Sequence, residues 1–282
     1  MSNSINSLAR DAVKAIVPYA SARSSMSGGA IWLNANENAL APEYQLSGSF
    51  NRYPSCQPQA VITGYAAYAG VTAEQVLVSR GADEGIELLI RSFCEPKQDS
   101  ITICPPTYGM YAISAESNQI AVNKVLLINN EQLDLAGIFT TSPKLVFICS
   151  PNNPTGDLDD LKALATWGRK NSVPVFSDEC YVEFTWSRKP ETILQHGLDG
   201  VVALHSLSKR SNLAGVRVGF YAGDKEIVDY LKEVRKHVGM LVPGPAQAAA
   251  VVALSIVESA APATPQTVTS EKIDVVPQRL VT

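Results

Sequence analysis

The chain has 282 residues, 46% of them hydrophobic, and its 23 basic and 27 acidic side chains give a formal net charge of −4. That much apolar material fills one large α/β unit or about two domains and excludes an unfolded chain. No block of like charge occurs, which argues against a nucleic-acid or anionic-membrane partner. No apolar run reaches the roughly 18 residues of a spanning helix, and the polar residues 1–10 do not read as a signal peptide, so a cytoplasmic chain is expected. Five cysteines without a C-x-x-C pair and three scattered histidines, His196, His205 and His237, lead us to expect neither a disulfide framework nor a metal site.

Residues 1–53 are rich in Ser, Asn, Ala and Gly without strong periodicity and read as an arm and loop. From residue 54 the pattern sharpens. A β-branched run at 76–79 meets the turn Arg80-Gly81 and a helical pattern at 82–90. Strand and helix then alternate: strand 100–104, helix 108–117, strands 122–128 and 144–149, helix 157–171, strands 173–177, 201–205 and 217–222, and helix 225–238. Short all-apolar strands between amphipathic helices predict an α/β fold with a mostly parallel sheet sandwiched by helices, here over residues 54–257. Residues 258–282, dominated by Ala, Pro, Thr and Val, carry no readable pattern and form an unassigned tail. In such sheets ligands bind at the carboxyl ends of the strands.

Four strand ends carry chemistry. After 76–79, Gly81-Ala82-Asp83 opens a helix, where backbone N–H groups and the positive helix end suit an anion such as phosphate, or simply a glycine turn with Asp83 against the helix dipole. Neither G-x-G-x-x-G nor a Walker A loop is present. After 144–149 comes Ser150-Pro151-Asn152-Asn153-Pro154-Thr155-Gly156, a loop that can offer amide donors. After 173–176, Asp178 leaves a buried strand with Tyr181 three residues on; an acid there needs a cation or donors, unless it only caps a helix. After 201–205 comes Ser206-Leu207-Ser208-Lys209, with Arg217 opening the next strand. Ser206 and Lys209 also fit the S-x-x-K of serine acyl transferases, but S-D-N and K-T-G are absent. A Schiff-base lysine, an acid, donors and an anion cradle together are what pyridoxal 5′-phosphate requires.

Those residues resemble the fold-type I pyridoxal-phosphate aminotransferases, class II branch. Over residues 8–156, the runs Trp32-Leu33-Asn34-Ala35-Asn36-Glu37, Asn51-Arg52-Tyr53-Pro54 and Ser79-Arg80-Gly81-Ala82-Asp83-Glu84 resemble the histidinol-phosphate aminotransferases. Over 173–254, Ser177-Asp178-Glu179-Cys180-Tyr181 and His205-Ser206-Leu207-Ser208-Lys209-Arg210-Ser211-Asn212 are more similar to the succinyldiaminopimelate aminotransferases. The resemblance implies that Lys209 binds the cofactor aldehyde and shuttles the substrate proton, with Asp178 on the pyridine nitrogen. Asn153 and Tyr181 would hold the phenolate oxygen, and Tyr108 would stack on the ring. The backbone of Gly81, Ala82 and Asp83, with Ser206, Ser208 and Arg217, would hold the phosphate, and Tyr53 would reach a neighbouring subunit's phosphate in a homodimer. Tyr19, Asn34 and Asn153 would meet the amino donor, a 2-oxo acid serving as acceptor. The family's carboxylate-binding arginine and small domain have no counterpart before Thr282, so weak turnover is expected unless Arg23 or Arg52 substitutes. A decarboxylase or lyase on the same scaffold is the competing chemistry.

Overall fold

The computed structural model describes residues 14–15, 46, 51, 53–129, 131–157, 160–185, 191–238 and 241–259. In chain order its main elements are α1 (Gln59–Ala69), β1 (Val76–Ser79), α2 (Ala82–Phe93), β2 (Ser100–Ile103), α3 (Met110–Ser117), β3 (Ala121–Lys124), α4 (Leu135–Thr140) and β4 (Leu145–Cys149). There follow α5 (Leu161–Asn171), β5 (Val175–Asp178), β6 (Val201–Ser206), α6 (Leu207–Arg210), β7 (Gly219–Gly223), α7 (Lys225–Val238) and α8 (Gly244–Ser259).

The strands form one sheet in the order β1-β7-β6-β5-β4-β2-β3. β2 to β6 run parallel, and β7 runs antiparallel to both of its neighbours. Strand residues divide between the faces with period two, as pleat geometry requires. Val76 and Val78, Val146 and Ile148, and Phe220 and Ala222 join the core under α1, α5 and α8. Leu77, Phe147, Phe176 and Tyr221 face the other way, against α2, α3 and α7. The sheet is therefore dry on both sides, which is why its strands read as unbroken apolar runs rather than alternating ones.

On the second face a row of aromatic rings crosses the strands. Tyr111, Phe147, Phe176 and Tyr221 stand 5.4, 5.0 and 5.8 Å apart between successive ring centroids. Both ends of the row are polar and point to the carboxyl edge: the Tyr111 hydroxyl donates to Asp178, and the Tyr221 hydroxyl donates to the carbonyl of Ala82.

Several expectations shift. The strand expected over 122–128 pairs only over Ala121–Lys124, because the following residues leave the sheet for a single bridge, Ile128 to Gln132. The helix expected from 157 begins at Leu161, where Asp160 caps the Ala163 N–H. The strand expected from Arg217 begins at Gly219; Arg217 itself sits in a left-handed turn at φ 56°. Helices α1, α4 and α8 were unread, being short or nearly uniformly apolar and thus without a clear polar face.

One close approach tests this packing. Gly85 of α2 lies directly over the Tyr221 ring, and a Cβ there would fall within the ring. Gly85→Ala should therefore cost about 3 kcal/mol, the upper range for overpacking, because the aromatic row leaves Tyr221 no room to retreat. Urea unfolding with an unchanged midpoint would contradict that packing.

Candidate active site

The carboxyl edge gathers the polar groups. At β1, Ser79 donates to the Gly81 carbonyl over 2.9 Å, and Gly81 turns at φ 87° into α2 without supplying a side-chain cap. The first turn of α2 thus has no N-cap side chain, and helix N–H groups of that kind suit an anion. At Gly81 glycine is needed for its positive φ, and a Cβ would also stand 2.8 Å from Nη2 of Arg217 and displace that guanidinium.

Arg217 reaches this point because β7 is antiparallel. A residue preceding a parallel strand would lie at the opposite edge of the sheet. Its Nη1 donates to Ser208 Oγ (3.4 Å) and to the Ala214 carbonyl (3.1 Å), while Nη2 lies 3.6 Å from Asp83. Ser206 caps α6 by accepting from the Ser208 N–H at 3.1 Å. Gly81, Ala82, Asp83, Ser206, Ser208 and Arg217 therefore form one cup of donors with the chemistry of a phosphate site. Tyr108 closes its side, donating to Asp83 over 2.8 Å and meeting the Tyr111 ring edge-on at 5.6 Å.

Beside the cup, β5 ends on Asp178, which is 4% exposed. Its carboxylate accepts from the Tyr111 hydroxyl at 2.8 Å and the Cys180 N–H at 3.1 Å, both neutral donors. Burial raises its pKa, and the nearby Asp83 charge adds to this; hydrogen bonds from the Tyr111 hydroxyl, the Cys180 thiol and the Cys180 N–H oppose it without cancelling it. Such a carboxylate suits a cation brought in from outside, such as a protonated ring nitrogen. Lys209 stands half-buried on the single turn α6, one residue after Ser208. Tyr181 is half-buried where β5 leads into the 3-10 turn Val182–Phe184.

Of the two loop asparagines, Asn152 ties its own loop to the connection between β2 and α3. It donates to the Pro106 carbonyl and to Thr155 and accepts from Thr107, each at 2.9 Å. Asn153 lies half-buried beside it. Tyr53 is 97% exposed and stands apart from the cup. Tyr19, Asn34, Arg23 and Arg52 lie outside the described residues. A cavity of about 770 Å³ opens between α2, α3 and the start of α8, walled by Arg80, Asp83, Met110, Arg217 and Pro243 but not by Asp178 or Lys209.

Sequence reasoning missed Tyr111, and it missed a buried ion pair under the cup. Arg235 is fully buried; its Nε donates to Glu84 at 2.9 Å and its Nη1 to the Cys56 carbonyl at 2.8 Å. Glu84 also accepts from the Arg80 N–H, so the pair pins the turn that opens the cup. A signal existed: Ile227, Leu231 and Arg235 share one helix face, and Glu84 and Leu88 share another.

Asp178 yields a prediction with opposite signs for stability and binding. A carboxyl whose pKa is raised in the fold contributes stability that is complete below the unfolded value near 3.8 and is lost as pH rises through the raised value. Asp178→Asn should therefore raise the melting temperature of the cofactor-free chain at pH 7, with the difference closing toward pH 3.8, while weakening cofactor binding. A lower melting temperature at pH 7 would contradict the burial cost.

The profile of the family "Aminotransferase class I and II" matches residues 30–272. The chain is 50% identical over 240 residues to a histidinol-phosphate aminotransferase of Salmonella arizonae, covering 82% of this chain and 66% of that protein. The one from Yersinia enterocolitica is 49% identical over 239 residues, covering 83% and 63%. The chain thus spans just under two thirds of the length of these relatives. Among solved structures, N-succinyldiaminopimelate aminotransferase of Mycobacterium tuberculosis aligns with a TM-score of 0.69 at 22% identity, over 74% of this chain and 60% of that one. Aspartate aminotransferase of Thermus thermophilus aligns at 0.68 and 21%, over 72% and 57%. Pyridoxal phosphate is the cofactor of this family, and the donor cup, the buried acid and the lysine fit it. The chain belongs to the class I and II aminotransferases.

Proposed function

We propose that the chain binds pyridoxal 5′-phosphate through Lys209 and transfers the amino group of L-histidinol phosphate to 2-oxoglutarate, in the cytoplasm and as a homodimer. The observation that carries the chemistry is Asp178: a buried carboxylate that accepts from the neutral Tyr111 hydroxyl and Cys180 N–H, on the strand next to the one that leads into Lys209. The 49–50% identity to histidinol-phosphate aminotransferases supports the choice of donor.

When bound, the cofactor supplies an electron sink for the Cα carbanion of an amino donor. Asp178 would keep the ring nitrogen protonated, its carboxylate held by the Tyr111 hydroxyl and the Cys180 N–H. Lys209 would hold the cofactor's aldehyde carbon and, once the donor's amino group displaces it, its freed Nζ would carry the Cα proton. Tyr181 and Asn153 would hold the phenolate oxygen, while Tyr108, bonded to Asp83, would cover the ring. Gly81, Ala82, Asp83, Ser206, Ser208 and Arg217 anchor the phosphate, so the reacting end is placed from a fixed point. Tyr53 would complete a partner's phosphate site, and Tyr19 and Asn34 would meet the donor.

The 282-residue chain mixed with pyridoxal phosphate should develop the absorbance band of a lysine-bound cofactor, fixed on Lys209 by borohydride. Lys209→Ala should show neither, and its proton transfer should fall by about 10²- to 10⁴-fold. L-histidinol phosphate should convert the cofactor to its amine form faster than N-succinyl-diaminopimelate does. No band in the wild type overturns the cofactor assignment. Faster reaction of the second donor overturns the substrate, and carbon dioxide release without the amine form makes the chain a decarboxylase.

A further inference from the structure

A buried histidine that the proposed chemistry does not use lies directly behind the lysine turn. His205, on β6, precedes the Ser206 cap of α6 and is 5% exposed. Its two ring nitrogens are both engaged: Nδ1 is 2.5 Å from the Tyr65 hydroxyl of α1, and Nε2 is 3.1 Å from Glu179, the residue after Asp178. Glu179 is 1% exposed, and its other oxygen accepts from the Ile193 N–H at 2.8 Å. Burial lifts the Tyr65 pKa well above its ordinary value, so the phenol keeps its proton and has it to donate. In the tautomer with hydrogen on Nε2, Tyr65 donates to Nδ1 and Nε2 donates to Glu179, so that single tautomer satisfies both bonds.

The rest of this face continues the arrangement. Tyr65 stacks on Phe220 of β7 with centroids 4.2 Å apart and planes 8° from parallel. At the far end of α6, Arg210 donates to Glu183 at 2.5 Å and lies 4.1 Å over the Tyr68 ring, while Tyr68 donates to the same carboxylate at 2.7 Å. The turn bearing Lys209 is thus held from beneath at both ends. An apolar filling of the same volume would avoid the desolvation cost of these groups, but it would not fix direction.

We propose that His205 is a positioning residue for Lys209, acting through the Tyr65–His205–Glu179 bonds that set α6 against the end of β5. The inference rests on the reading of Lys209 as the cofactor lysine. The ionisable groups in contact with His205 are Tyr65 and Tyr68 from α1 and Glu179 from the β5 end; the charges of Arg210 and Cys180 act on Tyr65, and Glu183 is held by Tyr68 and Arg210.

The test uses the full chain with His205→Leu, His205→Gln and Tyr65→Phe, the last keeping the stack on Phe220. In His205→Leu the dissociation constant for pyridoxal phosphate should rise about tenfold, the scale on which outer hydrogen-bond partners act, and the pH midpoint of the lysine-bound cofactor band should shift. His205→Gln, which can accept from Tyr65 and donate to Glu179, should restore both. Tyr65→Phe should move the midpoint the same way by less. Amide exchange over residues 207–212 in the cofactor-free chain should quicken in His205→Leu and not in His205→Gln. An unchanged midpoint and affinity in His205→Leu, whatever its melting temperature, overturns the proposal. If that variant does not fold, an unchanged midpoint in Tyr65→Phe does so. If the wild type forms no band, the Lys209 reading falls, and the exchange result decides the positioning role alone.

Discussion

A carboxylate kept away from water at the end of β5 is the constraint around which the rest of the molecule is arranged. Burying Asp178 is unfavourable by itself, since burial raises its pKa although the neutral Tyr111 and Cys180 donors face it. The fold tolerates this because Tyr111, the donor that matters, is locked by the aromatic row that packs α2 and α3 onto the sheet. The other end of that row holds Ala82 at the mouth of the donor cup. One apolar feature therefore fixes the distance between the acid and the anion site.

A second buried charge acts at longer range. Arg235 comes from α7, near the end of the described chain, and meets Glu84 on the first turn of α2. Breaking such a pair by removing one partner typically costs about 3–5 kcal/mol, because the other charge remains buried. The cup is thus coupled to the docking of α7 and to the entering chain at Cys56. Local turn chemistry at Gly81 and long-range electrostatics at Glu84 define the same few ångströms of backbone.

Much of this was legible in the sequence, and the parts that were not share a cause. Strands β1, β2, β4, β5 and β6 showed as apolar runs because both sheet faces are covered, and Asp178, Lys209 and Gly81 showed because they end such runs. Arg217 was seen, but its delivery was misplaced: local pattern does not reveal that β7 reverses direction. Tyr111 and Arg235 sit inside helical patterns, where an aromatic or a long cation reads as packing or solvent-facing charge; only the third dimension shows a carboxylate opposite each. Helices α1 and α8 were missed because a stretch apolar on nearly every side has no face to detect.

The reversal of β7 also divides the surface by tolerance to added chain. The turns around Lys97, Ser172 and Gly200 lie at the amino edge of the parallel strands, away from the cup, and lengthening them moves no donor. The connection over residues 207–218 never leaves the carboxyl edge and carries Ser208, Lys209 and Arg217 within itself. An inserted residue there would change the separation of lysine and arginine directly. A tag, a linker or a fused domain therefore belongs on the first edge, and the span from α6 to β7 acts as a ruler whose length is part of the site.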